Sequence, residues 1–306
     1  MRHPPLRSSL QLAVALGLAF GVAGCGGGSG GGAAVAGTNA GSSSPATSTN
    51  NNTANASPAG ADCSSFTPVV VTGYGASPEA WGVTTQTGYT NCVSIQAQAG
   101  GAVSAEFDWN WQSFVGNPVL GYPSIFFGAR PGAASTSSAL PQLIGQLDSV
   151  TVNWNHALTH GSGTDSGDVL LDNWITTRTD ASDYTQAGGV AVELMVFLDN
   201  WGANWATYYL AWPVVNINGS SYYFSGAPDG GVNNGQYTAS AVYRASFFPV
   251  TPFGAAGSLD LKPFLDYLVN NQLIPGNLYL ADVEFGNEIN QGTGRDVVND
   301  YSVQVK

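Results

Sequence analysis

From residue 62 to the C-terminus the sequence consists of short runs rich in Val, Ile, Tyr, Trp and Thr, separated by clusters of Gly, Pro, Asn, Asp and Ser. Runs of this length form β-strands, and turn residues at such spacing are typical of an all-β sandwich. About 245 residues are an ordinary size for one such domain. The predicted strands cover residues 69–72, 92–97, 103–111, 124–128, 149–155, 169–174, 190–198, 211–217, 221–226, 239–248, 278–285 and 301–305.

One segment has helical periodicity. Its apolar residues recur at i, i+3, i+4, i+7 and i+8, which places them on a single helix face. Asp260 is expected to cap the helix, and Pro263 is tolerated in its first turn. The prediction is one amphipathic helix packed against a large antiparallel sandwich, with these residues facing the sandwich: Leu261, Phe264, Leu265, Leu268 and Val269.

The first 24 residues resemble a lipoprotein-type signal peptide. A basic start precedes an apolar stretch, residues 10–22, that is too short to span a bilayer, and Val22-Ala23-Gly24-Cys25 is typical of a bacterial lipobox. We expect cleavage before Cys25 and lipidation of that cysteine; the alternative is a plain secretory leader with an incidental cysteine. Gly26 after the cysteine would favour the outer membrane in a Gram-negative host. Membrane attachment is expected only through this anchor, and otherwise the protein is secreted.

Residues 25–61 contain mainly Gly, Ser, Ala, Thr and Asn, a composition that predicts a disordered linker ahead of the folded domain, residues 62–306. The chain after the leader carries six basic and twenty acidic residues, a formal charge of −14. This charge argues against a nucleic-acid partner and is compatible with a neutral polysaccharide. We expect a monomer.

Two cysteines remain in the exported part of the chain, Cys63 and Cys92. In an oxidising compartment they are expected to form one disulfide, with two free thiols as the alternative.

Glutamates are rare after the leader: there are only five, at positions 79, 106, 193, 284 and 288. Glu193 interrupts an apolar strand, and Glu288 closes another. A carboxylate in such a strand loses hydration and costs several kcal/mol unless it is paired, which suggests a function. Two such carboxylates facing each other across a sheet are what cleavage of a glycosidic bond requires. Pairing of each with an arginine is the structural alternative.

The residues around both glutamates resemble glycoside hydrolase family 12. The stretch Val192-Glu193-Leu194-Met195-Val196-Phe197 is similar to the nucleophile strand of that family, whose pattern is Glu, aliphatic, Met, aliphatic, Trp. Family 11 xylanases share the architecture but lack the Glu-Leu-Met pattern. Further matching pieces follow in family order: Trp81-Gly82, Tyr122-Pro123-Ser124, Asp172-Asn173-Trp174, Ser258-Leu259-Asp260 before the helix, and the acid/base segment from Tyr279 through Gly286-Asn287-Glu288 to Gly294.

The resemblance implies a β-jelly roll of two curved antiparallel sheets that hydrolyses β-1,4-glucan with retention of configuration. Glu193 would be the nucleophile, Glu288 the general acid/base and Asp172 a third carboxylate beside the nucleophile. Phe197 stands where the family usually has Trp, and Glu284 replaces a usual Gln. We expect Glu284 to raise the proton affinity of Glu288. The candidate substrate contacts are Trp81, Met195, Phe197, Trp201, Glu284 and Asn287.

Other sites are weaker in the sequence. Trp109 and Trp111 are as compatible with a core as with sugar stacking, and Trp205 is a candidate for the rim of the substrate cleft. His156 and His160 have no third ligand at a suitable spacing, so no metal is expected, and no cofactor is implied. The alternatives to a hydrolase are a carbohydrate-binding jelly roll without turnover and a structural surface lipoprotein.

Overall fold

The structure is a computed structural model that describes residues 60–64, 66–84, 88–112, 119–131, 133–179, 189–202, 208–228, 235–239 and 241–306. The signal peptide, Cys25, nearly all of the linker and Trp205 lie outside these ranges, so the expectations for them stay predictions. In the described ranges, no helix is long and apolar enough to cross a membrane.

Within the described residues the chain forms fifteen strands and one α-helix, as the short β-forming runs predict. The strands are β1 Val69–Val71, β2 Tyr74–Ser77, β3 Thr90–Ala97, β4 Val103–Trp111, β5 Ser124–Gly128, β6 Gln142–Leu143, β7 Val150–His160, β8 Ser166–Thr176, β9 Val190–Trp201, β10 Val214–Ile217, β11 Ser220–Pro228, β12 Tyr243–Pro249, β13 Ala256–Asp260, β14 Tyr279–Leu280 and β15 Asp282–Val305, and the helix is α1 Lys262–Asn270.

The strands form two layers that share β15. The larger layer has the order β1-β2-β5-β15-β8-β9-β12-β11-β10, and β6 and β14 add to it beside β8. The smaller layer has the order β3-β4-β15-β7-β13. Residues 282–291 of β15 pair in the larger layer, and residues 292–305 pair in the smaller one. Among these pairs β9 and β12 run parallel, and the others run antiparallel.

Alternation along β9 explains why one face of the larger layer is apolar and the other is not. Val192, Leu194 and Val196 are fully buried in the core between the layers, whereas Glu193 and Met195 are partly exposed on the opposite face. This period of two is the one that an extended strand imposes. The sequence predicted these two sets of residues correctly.

The agreement between predicted and observed strand limits varies along the chain. β4 and β5 begin and end at the predicted residues. The predicted segments 278–285 and 301–305 are instead parts of β14 and of the single 24-residue strand β15. β2, β6 and β13 were missed because they have two to five residues and too few β-branched side chains to show a pattern.

The helix confirms the amphipathic prediction and corrects its cap. Phe264, Leu265 and Leu268 are buried, but the N-cap position is Leu261, which makes no side-chain cap. The Asp260 carboxylate instead accepts hydrogen bonds from the backbone N–H of Lys262 at 3.0 Å and of Val150 at 2.8 Å. Asp260 therefore joins the start of α1 to β7.

The disulfide between Cys63 and Cys92 is present, with a Cα to Cα distance of 4.2 Å. Next to it, Asp62 and Val93 exchange two backbone hydrogen bonds of 2.7 and 2.8 Å. The bond attaches the start of the domain to β3, as expected from the two cysteines.

Candidate active site

The candidate catalytic residues lie on the face of the larger layer that points away from the core between the layers. We call this surface the acidic face and define it by the outward residues of β15, β8, β9 and β12. Residues directly opposite each other on paired strands point to the same side of a sheet, so the strand register identifies its members. Three rows of such residues form the site.

The first row contains Glu193. Trp174 of β8 lies opposite it on one side and Arg244 of β12 on the other. Arg244 Nε donates a hydrogen bond to Glu193 Oε2 at 2.5 Å, and the Glu193 side chain is 15% exposed. Glu193 therefore does form an ion pair with an arginine, which was the structural alternative to a catalytic role. The ion pair fixes the orientation of a carboxylate that solvent still reaches.

The second row contains Asp172, which lies opposite Met195 of β9 and Glu284 of β15. Asp172 is buried, and burial raises its pKa well above the ordinary range, with further increases from the charges of Glu193 and Glu284. This raised pKa favours the protonated form of Asp172 and so limits the negative charge beside Glu193.

The third row contains Glu288, which lies opposite Asp168 of β8. Burial first, and the nearby charge of Glu193 second, raise the pKa of Glu288 to about 8, while Arg244 acts in the opposite direction. Glu288 therefore keeps its proton at neutral pH. Glu284, expected from the sequence to have this effect, is ion-paired with Arg130 instead, and burial and Glu193 raise the pKa of Glu288.

Gly286 separates Glu284 from Glu288 on the acidic face. A Cβ atom at this position would lie 2.8 Å from a ring carbon of Tyr122 and 2.6 Å from the backbone oxygen of Pro123. Only glycine permits Tyr122 to approach the strand this closely. Tyr122 packs there with Leu170, Phe197 and Phe248.

Several predicted substrate contacts lie on or beside the acidic face. Met195 is partly exposed. Phe197 is 3% exposed and stacks on Phe248 with ring centroids 3.7 Å apart, so it supports the surface more than it presents a ring to solvent. Trp81 is 38% exposed and stacks on Tyr122 at 6.2 Å.

Three other predicted contacts are wrong. Trp201 points into the core, where its ring stacks on Trp109 and His160. Asn287 is buried on the opposite side of β15 from its neighbour Glu288, and its side chain donates a hydrogen bond to Asp296 at 3.2 Å. Glu284 does lie on the acidic face, but it is fully buried, so it cannot contact a substrate from solvent.

Three of the remaining aromatic and histidine candidates are buried inside the protein. Trp109 and Trp111 are core residues. His156 is buried and hydrogen-bonded to Asp296 at 2.9 Å. In the part of the chain that the structure describes, no group of three or more His, Cys, Asp or Glu residues is placed to hold a metal ion.

Sequence reasoning missed four charged residues of the site. Alternation from Asp172 along β8 could have placed Asp168 on the same face. Glu79, Arg130 and Arg244 gave no such signal, because their positions depend on pairing between segments that are distant in the sequence.

The cluster of buried carboxyl groups predicts how stability depends on pH. Burial raises the pKa of each, whereas in the unfolded chain they ionise near about 4. Between about pH 4 and pH 8 the native state thus binds more protons than the unfolded state, and the free energy of unfolding falls as pH rises. We expect a higher Tm by calorimetry at pH 5.5 than at pH 8. An unchanged or rising Tm over this interval would contradict the raised pKa values of Asp168, Asp172, Asp282 and Glu288.

No family model matches the sequence. Among curated proteins, the chain is 28% identical to endoglucanase S of Pectobacterium parmentieri over 67% of this chain and 72% of the relative. It is 24% identical to a xyloglucan-specific endo-β-1,4-glucanase of Phytophthora nicotianae over 81% of this chain and 92% of the relative. These relatives agree with the resemblance drawn from the two glutamate segments.

Solved structures have the same fold. A family 12 xyloglucanase from Bacillus licheniformis aligns with a TM-score of 0.63 at 20% identity, covering 80% of this chain and 100% of that one. An endoglucanase from Rhodothermus marinus aligns with a TM-score of 0.62 at 24% identity, covering 80% and 98%. The prediction of a jelly-roll sandwich with one amphipathic helix is confirmed.

Proposed function

We propose that this chain is a glycoside hydrolase of the family 12 type, and that it cleaves β-1,4-glucan chains internally, with retention of configuration. The observation that best supports the proposal is the contrast between its two glutamates. Glu193 is partly exposed and held by Arg244, whereas Glu288 keeps a proton because burial and Glu193 raise its pKa to about 8. Opposite protonation states of two nearby carboxyl groups are what an acid and a nucleophile need.

In the proposed first step, a Glu193 oxygen attacks the anomeric carbon while Glu288 transfers its proton to the leaving glycosidic oxygen. The bond to the leaving sugar breaks, and a covalent glycosyl ester forms on Glu193. In the second step Glu288, now a carboxylate, removes a proton from water, and the water oxygen displaces Glu193 from the same carbon. Two inversions give net retention.

Asp172 and Arg244 support the two steps from neighbouring strands. The raised pKa of Asp172 favours its protonated form, which limits the accumulation of negative charge when Glu193 is free. Arg244 stabilises the Glu193 carboxylate that leaves in the second step, because an ion pair stabilises the charged form. Glu193, Glu288 and Asp172 therefore form the proposed catalytic set, with Arg244 added from the structure.

The proposed substrates are cellulose-like chains, mixed-linkage β-glucan and xyloglucan. The names of the relatives include both endoglucanase and xyloglucan-specific endo-β-1,4-glucanase, which supports a β-glucan substrate, with xyloglucan among the candidates. Trp81 and Met195 are the proposed sugar contacts on the described surface, with Phe197 supporting them from beneath. We further propose that the protein is exported, as an outer-membrane lipoprotein or in secreted form.

The test is a product profile on carboxymethylcellulose, barley glucan, xyloglucan and xylan. We expect reducing sugar from at least one of the first three, with a fast fall in viscosity because internal cleavage shortens chains early. Proton NMR of the first products should show the β-anomer. Binding without hydrolysis would favour the sugar-binding alternative, absence of binding would favour a structural lipoprotein, and an α-anomer would contradict the two-step mechanism.

A further inference from the structure

A buried arginine lies between two buried carboxylates at one side of the acidic face. Arg130 Nη2 lies 3.0 Å from Glu79 Oε1, and Arg130 Nε lies 3.7 Å from Glu284 Oε1. All three side chains are about nine-tenths buried or more. The guanidinium also lies over the Phe126 ring, 5.1 Å from its centroid.

This arrangement is costly to build. Buried charges lose hydration, and a buried ion pair seldom adds net stability compared with well-packed apolar side chains. The chain after the leader has only six basic residues, yet it places one of them here. Glu79 also has a positive φ of 46°, a conformation that side-chain-bearing residues seldom adopt and that often accompanies function.

Glu79 reaches an exposed aromatic ring. Its Oε2 accepts a hydrogen bond from Trp81 Nε1 at 3.2 Å, and its Oε1 accepts one from Ser77 Oγ at 2.8 Å. Its backbone oxygen accepts a hydrogen bond from the backbone N–H of Tyr122 at 3.0 Å. Trp81 stacks on Tyr122. Glu79 therefore holds the edge of the indole through its carboxylate, and it holds the backbone of the tyrosine beneath the indole through its carbonyl oxygen.

Glu284 connects the other end of the cluster to the catalytic rows. It lies directly opposite Asp172, and its Oε2 accepts a hydrogen bond from Ser124 Oγ at 3.1 Å. Residues paired in this way have neighbouring side chains on the same face of the sheet, and the charge of Glu284 contributes to the raised pKa of Asp172. The ion pairs of Glu79, Arg130 and Glu284 therefore connect the Trp81 ring with Asp172, in the row next to Glu193.

We propose that Glu79 is a positioning residue that holds the Trp81 ring in place, so that a glucan unit can stack on it. We further propose that Arg130 and Glu284 fix the position of Glu79 relative to the catalytic carboxylates. We call Glu79, Arg130 and Glu284 the relay. This inference rests on the proposed function, because it assigns the platform to the same substrate. It accounts for glutamate at position 284, which supplies the second negative charge beside Arg130.

The experiment compares Trp81→Phe, Glu79→Gln and the double variant. Trp81→Phe keeps an aromatic ring but removes the N–H donor, and Glu79→Gln removes the charge that binds Arg130. A hydrogen bond to a charged group contributes enough to change affinity by about tenfold or more. Each single variant should therefore raise KM about tenfold with kcat changed less than about threefold. The double variant should be no worse than either single, because both substitutions act through the position of the same Trp81 ring.

The matched control is Glu106→Gln, which removes a glutamate that is ion-paired with Arg295 in the smaller layer. It should leave KM unchanged. If Trp81→Phe and Glu79→Gln also leave KM unchanged, or if their effects multiply in the double variant, the relay is overturned, whether or not the protein hydrolyses glucan.

Calorimetric binding of cellotetraose and of a xyloglucan oligosaccharide to every variant separates the relay from the proposed hydrolysis. A wild-type protein that binds these sugars without hydrolysing any glucan contradicts the proposed function. In that case the relay still stands if Trp81→Phe and Glu79→Gln each weaken binding about tenfold, and it fails if they do not. A wild-type protein that binds neither sugar overturns both.

Discussion

Replacement of Glu193 by Gln is expected to lower kcat on glucan by about 10⁴-fold or more, because loss of a covalent nucleophile removes the first step and not merely a contact. Gln has the same shape and retains an oxygen that can accept from Arg244, so the fold should survive. Circular dichroism and Tm test the fold, and release of reducing sugar tests activity. Glu106→Gln is the control and should retain wild-type activity.

A second variant, Glu193→Ala, distinguishes a nucleophile from any other essential role. With an aryl β-cellobioside and added azide, the azide ion can attack the anomeric carbon from the space left by the carboxylate, and the aryl oxide leaves. The expected product is the α-glycosyl azide, with one inversion. Recovery of the β-azide, or wild-type activity in Glu193→Gln, would show that Glu193 is not the nucleophile.

Replacement of Glu288 by Gln is expected to lower kcat/KM on glucan by about 10²- to 10⁴-fold, the range associated with loss of a general acid or base. The loss should be smaller for an aryl β-cellobioside with an acidic phenol, because such a leaving group departs without a proton. Equal losses on both substrates would mean that Glu288 does not protonate the leaving oxygen.

The pH profile gives an independent measure of the same residue. Burial and Glu193 raise the pKa of Glu288 to about 8, so kcat/KM of the wild-type protein should fall as pH rises through about 8 and the acid loses its proton. The Glu288→Gln variant has no proton to lose there, and its residual activity should not show this decline. A wild-type decline that begins near pH 5 would contradict the assignment.

Regular alternation explains why so much of the fold could be predicted. From Val192 to Val196 of β9 the apolar residues at every second position are buried and the residues between them are partly exposed. Alternation likewise predicted both ends of β4, and the short apolar run of β5 gave that strand its correct limits. The helical period of α1 and the two cysteines, Cys63 and Cys92, were equally informative. Each of these signals is local, or depends on residue chemistry alone.

The errors have a different origin. Trp201 is close to Glu193 in the sequence, yet it turns inward and stacks on Trp109 and His160. Asn287 adjoins Glu288, but neighbours along a strand point to opposite faces, so it is buried with Asp296. Proximity in sequence was a poor guide to membership of the site in both cases.

The sequence by itself determined the β-rich architecture, the helix, the disulfide and the two glutamate strands, because strand period, helical period and cysteine chemistry act within or between few residues. Only the tertiary structure decided that Arg244 pairs with Glu193, that Asp168 lies opposite Glu288, and that Arg130 joins Glu79 to Glu284. These contacts depend on the register of strands far apart in the chain, and burial together with mutual charge sets which carboxyl groups keep their protons. Neither register nor burial can be read from local composition.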